Sequence, residues 1–211
     1  MRLIRQEELD EYRQGWRSYE ELKEMGDCHA SVENYPQAEL CYRQAAVLAP
    51  NEAGPFVGLG VVAMQQGQVG LAMRAFQTAK TIDADCSQAY GGMAMIHQEQ
   101  GRFPQAFEMY LRCLELDANN MLALLGLFQA SSQMGTFSKI IHYLELYLDG
   151  HPSDHSVLFC LASLYAREGE LIQAKQALLT VLASDPDKTE ARDLLEDIDH
   201  QLERTRMQEV A

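Results

Sequence analysis

The sequence predicts an all-α protein made of stacked helix hairpins. Three observations predict it. A shift of 34 residues brings apolar and small residues into coincidence along most of the chain. Within each repeat, bulky residues recur three positions apart, the spacing of one helix face. Each repeat is also divided by a polar turn, so it holds two amphipathic segments rather than one.

Windows starting at Tyr19, Ala53, Ser87, Met121 and His155 show the pattern position by position. The fourth slot holds Leu22, Phe56, Tyr90, Leu124 and Leu158, and the seventh Met25, Leu59, Met93, Leu127 and Leu161. Slot eight is small in four windows (Gly26, Gly60, Ala94, Ala162), and slot twenty is alanine in the same four (Ala38, Ala72, Ala106, Ala174). These small residues let the two helices of a hairpin approach closely. Slot twenty-four carries Tyr42, Phe76, Tyr110, Leu144 and Leu178, which fill the gap between them. Turn glycines stand at Gly67, Gly101, Gly135 and Gly169, and Pro50, Pro152 and Pro186 end the second helix of their windows. A lone hairpin cannot bury both of its apolar faces, so neighbouring hairpins must stack.

This pattern resembles the tetratricopeptide repeat family. Five copies run 19–52, 53–86, 87–120, 121–154 and 155–188. The resemblance implies a right-handed α-solenoid of five helix pairs with N- and C-terminal capping helices. The first window has His29 where the family often has tyrosine. The fourth has Phe128 and Ile140 in both small slots, which predicts a wider spacing or a changed angle between its helices. Residues 1–18, with Leu3, Ile4, Leu9, Tyr12 and Trp16 on a helical pattern, are expected to form an N-terminal cap; docking a partner or a second copy is the other role open to that helix. Residues 189–211 are expected to form the C-terminal cap and tail, with Ala191, Leu194, Leu195, Ile198 and Leu202 on one stripe.

In this family the first helix of each pair lines a concave inner surface. The resemblance therefore implies a protein- or peptide-binding groove that includes Val57, Gly58, Val61, Met64, Gly91, Gly92, Met95, Gln98, Leu125, Gly126, Gln129, Phe159 and Ser163. Among the inner slots of the middle three windows, Glu99 alone is charged. A neutral, partly apolar helix face suits a surface that is covered part of the time, and flexible methionines suit variable partners. Gly58, Gly91, Gly92 and Gly126 each cost on the order of 1 kcal/mol relative to alanine inside a helix. They are expected to widen the groove for a partner; tight superhelical curvature is the other reading. Some relatives clamp the C-terminal carboxylate of heat-shock chaperones with basic and amide residues in these slots. Here only Lys23 and Arg167 are basic there, so that clamp is not expected.

The 211 residues are 47% hydrophobic, which excludes general disorder, and carry a net charge of −14. Such a chain repels a phosphate backbone or an anionic membrane, so neither a nucleic acid nor membrane insertion is expected. No apolar run approaches the roughly 20 residues of a membrane helix. The N-terminus turns polar too soon for a signal-peptide core. Cys28, Cys41, Cys86, Cys113 and Cys160 are scattered and odd in number, which fits a reducing, cytoplasmic setting. The acidic excess lies at the ends: the first window has seven acidic residues against two basic ones, whereas the second has two of each. Solubility explains this; an acidic rim that steers a basic partner is the other reading.

Catalytic and cofactor signatures are weak. Gly58-Leu59-Gly60 follows no strand, so it is not a phosphate loop. His151 and His155 flank Pro152 in a linker. His97 and Glu99 are two apart on a helix and diverge, and Cys28 and His29 are adjacent and do not face each other. The expected function is a non-catalytic scaffold or adaptor without cofactor or metal. Two alternatives remain: an assembly chaperone like those of type III secretion translocators, whose neutral glycine-bearing grooves Phe56-Val57-Gly58-Leu59-Gly60 resembles, and a regulatory subunit of an enzyme complex.

Overall fold

The computed structural model describes residues 18–209, so most of the predicted N-terminal cap helix, residues 1–17, lies outside the described residues. Among these residues eleven α-helices follow one another without a strand: α1 Tyr19–Ser31, α2 Tyr35–Leu48, α3 Gly54–Gln65, α4 Val69–Ile82, α5 Ser87–Glu99, α6 Phe103–Leu116, α7 Met121–Met134, α8 Ser138–Gly150, α9 His155–Glu168, α10 Leu171–Ser184 and α11 Thr189–Glu209. The chain divides into two compact units, one ending at Leu116 and one starting at Asp117.

Local sequence sets the helix ends. Ser18 caps α1 reciprocally: its hydroxyl accepts from the Glu21 amide at 3.2 Å, and its own amide donates to the Glu21 carboxylate at 2.8 Å. Asn120 and Asp154 accept from the amides of Ala123 and Val157 at the starts of α7 and α9. Prolines occupy the first turn of α2 and α3, where no amide hydrogen is needed. Gly67, Gly101, Gly135 and Gly169 all have φ between 68° and 84°, a left-handed turn that glycine adopts at least cost. The equivalent position of the first window is Glu33, whose φ is 58°.

In the first unit α1/α2, α3/α4 and α5/α6 form hairpins, and α2 packs on α3 as α4 packs on α5. The Tyr42 and Phe76 rings key these layers together. A Cβ built on Gly26 or Gly58 would stand 2.6 Å or 2.4 Å from Tyr42 Cε1, so that ring is clasped between its own hairpin and the next. Phe76 repeats the arrangement, 2.6 Å from the position a Cβ would take on Gly60 and 2.3 Å from that on Gly92. Both rings are almost wholly buried. Gly58 and Gly92 each lie against a ring from the preceding window, and the missing side chain is what admits that ring. Gly91 differs, since a Cβ there would meet only Cys113 Sγ, at an ordinary 3.5 Å.

In the second unit α9/α10 is a close hairpin, and α11 lays Ala191 and Ile198 onto a core of Ala162, Ala174, Leu178 and Val181, with Leu194, Leu195 and Leu202 beside them. α7 and α8 touch more sparingly than the helices of any other hairpin. Ile140 is fully buried, whereas Phe128 remains 38% exposed. Two bulky residues do not fit where the other hairpins place glycine or alanine, and Phe128 is the one that gives way.

Candidate peptide-binding trough

The first unit carries a cavity of about 690 Å³ walled by α1, by α3 and by the segments that enter α3 and α5. Stacking produces it: with α1 and α3 side by side, residues three and four apart on each face the space between them. Ala30, Val57, Val61 and Ile82 supply apolar wall, and Gly58 contributes backbone. Val61 is 39% exposed, so it is an apolar side chain open to a ligand.

One wall is polar and tightly bonded. Lys23 Nζ donates to Asp27 Oδ2 at 2.8 Å, and Tyr42 Oη donates to Asp27 Oδ1 at 2.7 Å. Burial, then the bond to Asp27 and its charge, push the Tyr42 phenol far above its ordinary value, so it remains a donor. Glu52 and Asp83 stand at the entrances of α3 and α5, both exposed. The Asp83 carboxylate also accepts from the Asp85 amide at 2.9 Å. Cys86, buried on the cavity wall, has its thiol pushed up mainly by that burial.

Of the residues expected to form the groove, Val57, Gly58 and Val61 meet at this cavity. Met64, Met95 and Gln98 are half-buried on α3 and α5, Gly91 is partly open, and Gly92 is buried under Phe76; none of them walls the cavity. In the second unit Leu125 is 54% exposed and Leu122 70%, with exposed Gln129 on the same helix and Gly126 buried. Phe159 is half-buried with Lys188 Nζ 4.6 Å from its ring centre, and Ser163 donates its hydroxyl to the Phe159 carbonyl at 2.9 Å, which leaves it little freedom to bond elsewhere. The two inner basic residues are both engaged: Lys23 by Asp27, and Arg167 over the Phe137 ring at 4.3 Å.

Sequence reasoning did not place Tyr42, Glu52, Asp83 or Cys86 at the trough. The Tyr42–Gly58 and Phe76–Gly92 pairs are both sixteen residues apart, and that spacing could have tied the inner glycines to the rings. Glu52 and Asp83 lie in linkers, where no period signals direction. His97 is half-buried with Nδ1 lacking a partner, and burial followed by the Arg102 charge lowers its pKa, as in a packed imidazole. Among the described residues no three His, Cys, Asp or Glu side chains converge as metal ligands, and no helix is long and apolar enough to cross a membrane.

Helix hairpins clasped by rings in this way define an all-α tetratricopeptide-type solenoid, and the comparisons agree. Residues 87–120 match the family model described as tetratricopeptide repeat. The chain is 29% identical over 119 residues to the small glutamine-rich tetratricopeptide repeat-containing protein 2 of Mycosarcoma maydis; the match takes in 56% of this chain and 34% of that one, so the chain spans about a third of the curated relative it matches. Pseudomonas aeruginosa pilF has a similar fold, with a TM-score of 0.63 at 21% identity over 89% of this chain and 91% of that one. So does the first tetratricopeptide domain of Spaghetti (RPAP3) bound to the HSP90 peptide SRMEEVD, with a TM-score of 0.52 at 20% identity over 56% of this chain and 94% of that one. The chain thus carries a tetratricopeptide repeat at residues 87–120 and is similar in fold to solved tetratricopeptide-repeat proteins.

Proposed function

We propose that the chain is a non-catalytic interaction module that seats a segment of a partner protein in the trough of its first unit, acting as a scaffold or adaptor. The observation that carries this reading is the 690 Å³ cavity, where apolar side chains of α1, α3 and α4 stay open beside polar ones. Apolar walls bury partner side chains, and the polar wall, with Gln88 at the start of α5, bonds the partner backbone. A solved relative in complex with a peptide supports the same use of this fold. The exposed Leu122, Leu125 and Gln129 of α7 are a second contact surface in this proposal. The secretion-chaperone alternative rested on glycines in the second window, and Gly58 and Gly60 are occupied by ring packing, so they do not favour it. Val61→Trp narrows the cavity at its apolar wall without changing charge. Partners captured from cell extract on the full chain are expected to be lost on this variant while its far-ultraviolet circular dichroism is unchanged. If the same partners are retained, the trough is not the working surface.

A further inference from the structure

The charge around the trough narrows its ligand, granted the reading just proposed. Four ionisable side chains that carry charge at neutral pH wall the cavity: Lys23, Asp27, Glu52 and Asp83. Lys23 is the one cation among them, and its charge is met by Asp27 at 2.8 Å. Glu52 and Asp83 form no ion pair with any described residue, and both are exposed at the mouth. Around them the first window holds seven acidic residues and two basic ones, in a chain of net charge −14. The field at the opening is therefore negative over short and long range.

The geometry points to a cationic, amphipathic segment as the occupant: a stretch of partner chain whose lysines or arginines alternate with apolar residues. A long basic side chain fits both halves of this site. Its methylene stem covers Val57 and Val61, and its charged head reaches Glu52 or Asp83 at the rim. The apolar neighbours of that residue settle toward Ile82 and Ala30. An acidic ligand meets the reverse. The peptide SRMEEVD bound by the similar Spaghetti domain ends in two glutamates, a valine and an aspartate, and such a sequence is repelled at a mouth whose carboxylates no described cation pairs. Specificity then comes from attraction of one charge and rejection of the other.

A random dodecapeptide display library panned on the full chain tests this. Selected peptides are synthesised with a fluorophore, and their affinities are read by anisotropy for the full chain, for Val61→Trp and for the Glu52→Gln/Asp83→Asn double variant. Both carboxylates are exposed, so the double variant is expected to fold. The expected result is peptides rich in lysine or arginine that lose binding on Val61→Trp. They should weaken about fivefold on the double variant, the scale of two exposed ion pairs. They should weaken similarly when salt rises from about 0.05 to about 0.5 M. Peptides that need an open cavity yet are neutral or acidic, or are indifferent to the double variant, overturn the cationic ligand and leave the trough reading standing. Peptides indifferent to Val61→Trp, or a library with no binder, overturn both.

Discussion

The α3/α4 hairpin of the first unit and the α7/α8 hairpin of the second solve one packing problem with opposite outcomes. In the first, small residues on both helices let Phe76 slide between Gly60 and Gly92 until it is buried. In the second, Phe128 and Ile140 replace the small residues, the helices meet sparingly, and Phe128 is left 38% exposed. The lesson is that ring size counts only together with the space opposite it. The same residue type is a keystone in one hairpin and a partly solvated flank in the other.

The sharpest way to break that comparison is to remove both rings. Phe76→Ala is expected to cost about 3–5 kcal/mol of unfolding free energy, because it empties a fully packed site between two hairpins. Phe128→Ala is expected to cost about 1–2 kcal/mol, since more than a third of its surface is already in water. Urea denaturation of each variant measures the difference. Equal losses would mean that Phe128 is a keystone too.

Next in size is the glycine pair on α5. Gly92→Ala is expected to destabilise by about 1–3 kcal/mol, because its Cβ lands 2.3 Å from Phe76 Cζ in a core with no slack. Gly91→Ala, one residue away, is expected to stabilise by about 1 kcal/mol, since its Cβ meets only Cys113 Sγ at contact distance and helix propensity then dominates. Opposite shifts in thermal midpoint for neighbouring glycines on one helix would show that the ring, not the glycine, sets the sign. Shifts of the same sign would remove the ring from the explanation.

These two glycines also show how much the sequence made legible. The helices could be read because buried positions recur with the helix period, and the turn glycines because only a left-handed residue closes those hairpins. Gly91 and Gly92 looked alike because both occupy inner slots, and a slot says which face a residue is on but not which ring arrives from the neighbouring window. The trough was half legible. Val57 and Val61 lie on a periodic face, whereas the direction of Glu52 and Asp83 follows from the dihedral angles of their linkers, which carry no period. Tyr42 was read as filler for the hairpin; its second part, donating to Asp27 on the cavity wall, depends on a side chain fifteen residues earlier.

That hydroxyl gives the first unit an alkaline limit. The Tyr42 phenol is raised by burial and by Asp27, and Tyr110 is raised to about 12, chiefly by burial. A phenol with a raised folded value adds stability that is complete below the unfolded value near 10 and fades as pH climbs toward the folded one, because the unfolded chain releases its proton first. Stability is therefore expected to be flat up to about pH 8, to slip as the unfolded thiol of Cys86, also raised by burial in the fold, begins to ionise, and to fall more steeply above about pH 10. Tyr42→Phe should cost about 1 kcal/mol at neutral pH through the lost hydrogen bond and flatten part of the alkaline decline. A decline as steep in the variant as in the parent would assign it to other groups.

The smallest expected effect lies at Glu33, where the first hairpin departs from the other four. Gly67, Gly101, Gly135 and Gly169 close their turns at φ near 70° to 84°, and Glu33 does so at 58° with a side chain. A non-glycine residue held there costs roughly 1 kcal/mol, and glycine gives part of that back through its freer unfolded chain. Glu33→Gly is thus expected to stabilise by about 0.5 kcal/mol. Stacked hairpins transmit stability mainly to their neighbours, so the gain should appear as slower amide hydrogen exchange in α1 and α2 and fade toward α6. Protection that rises evenly through α6 would mean the first hairpin does not open independently of the rest of its unit, and no change at all would mean the turn holds glutamate without strain.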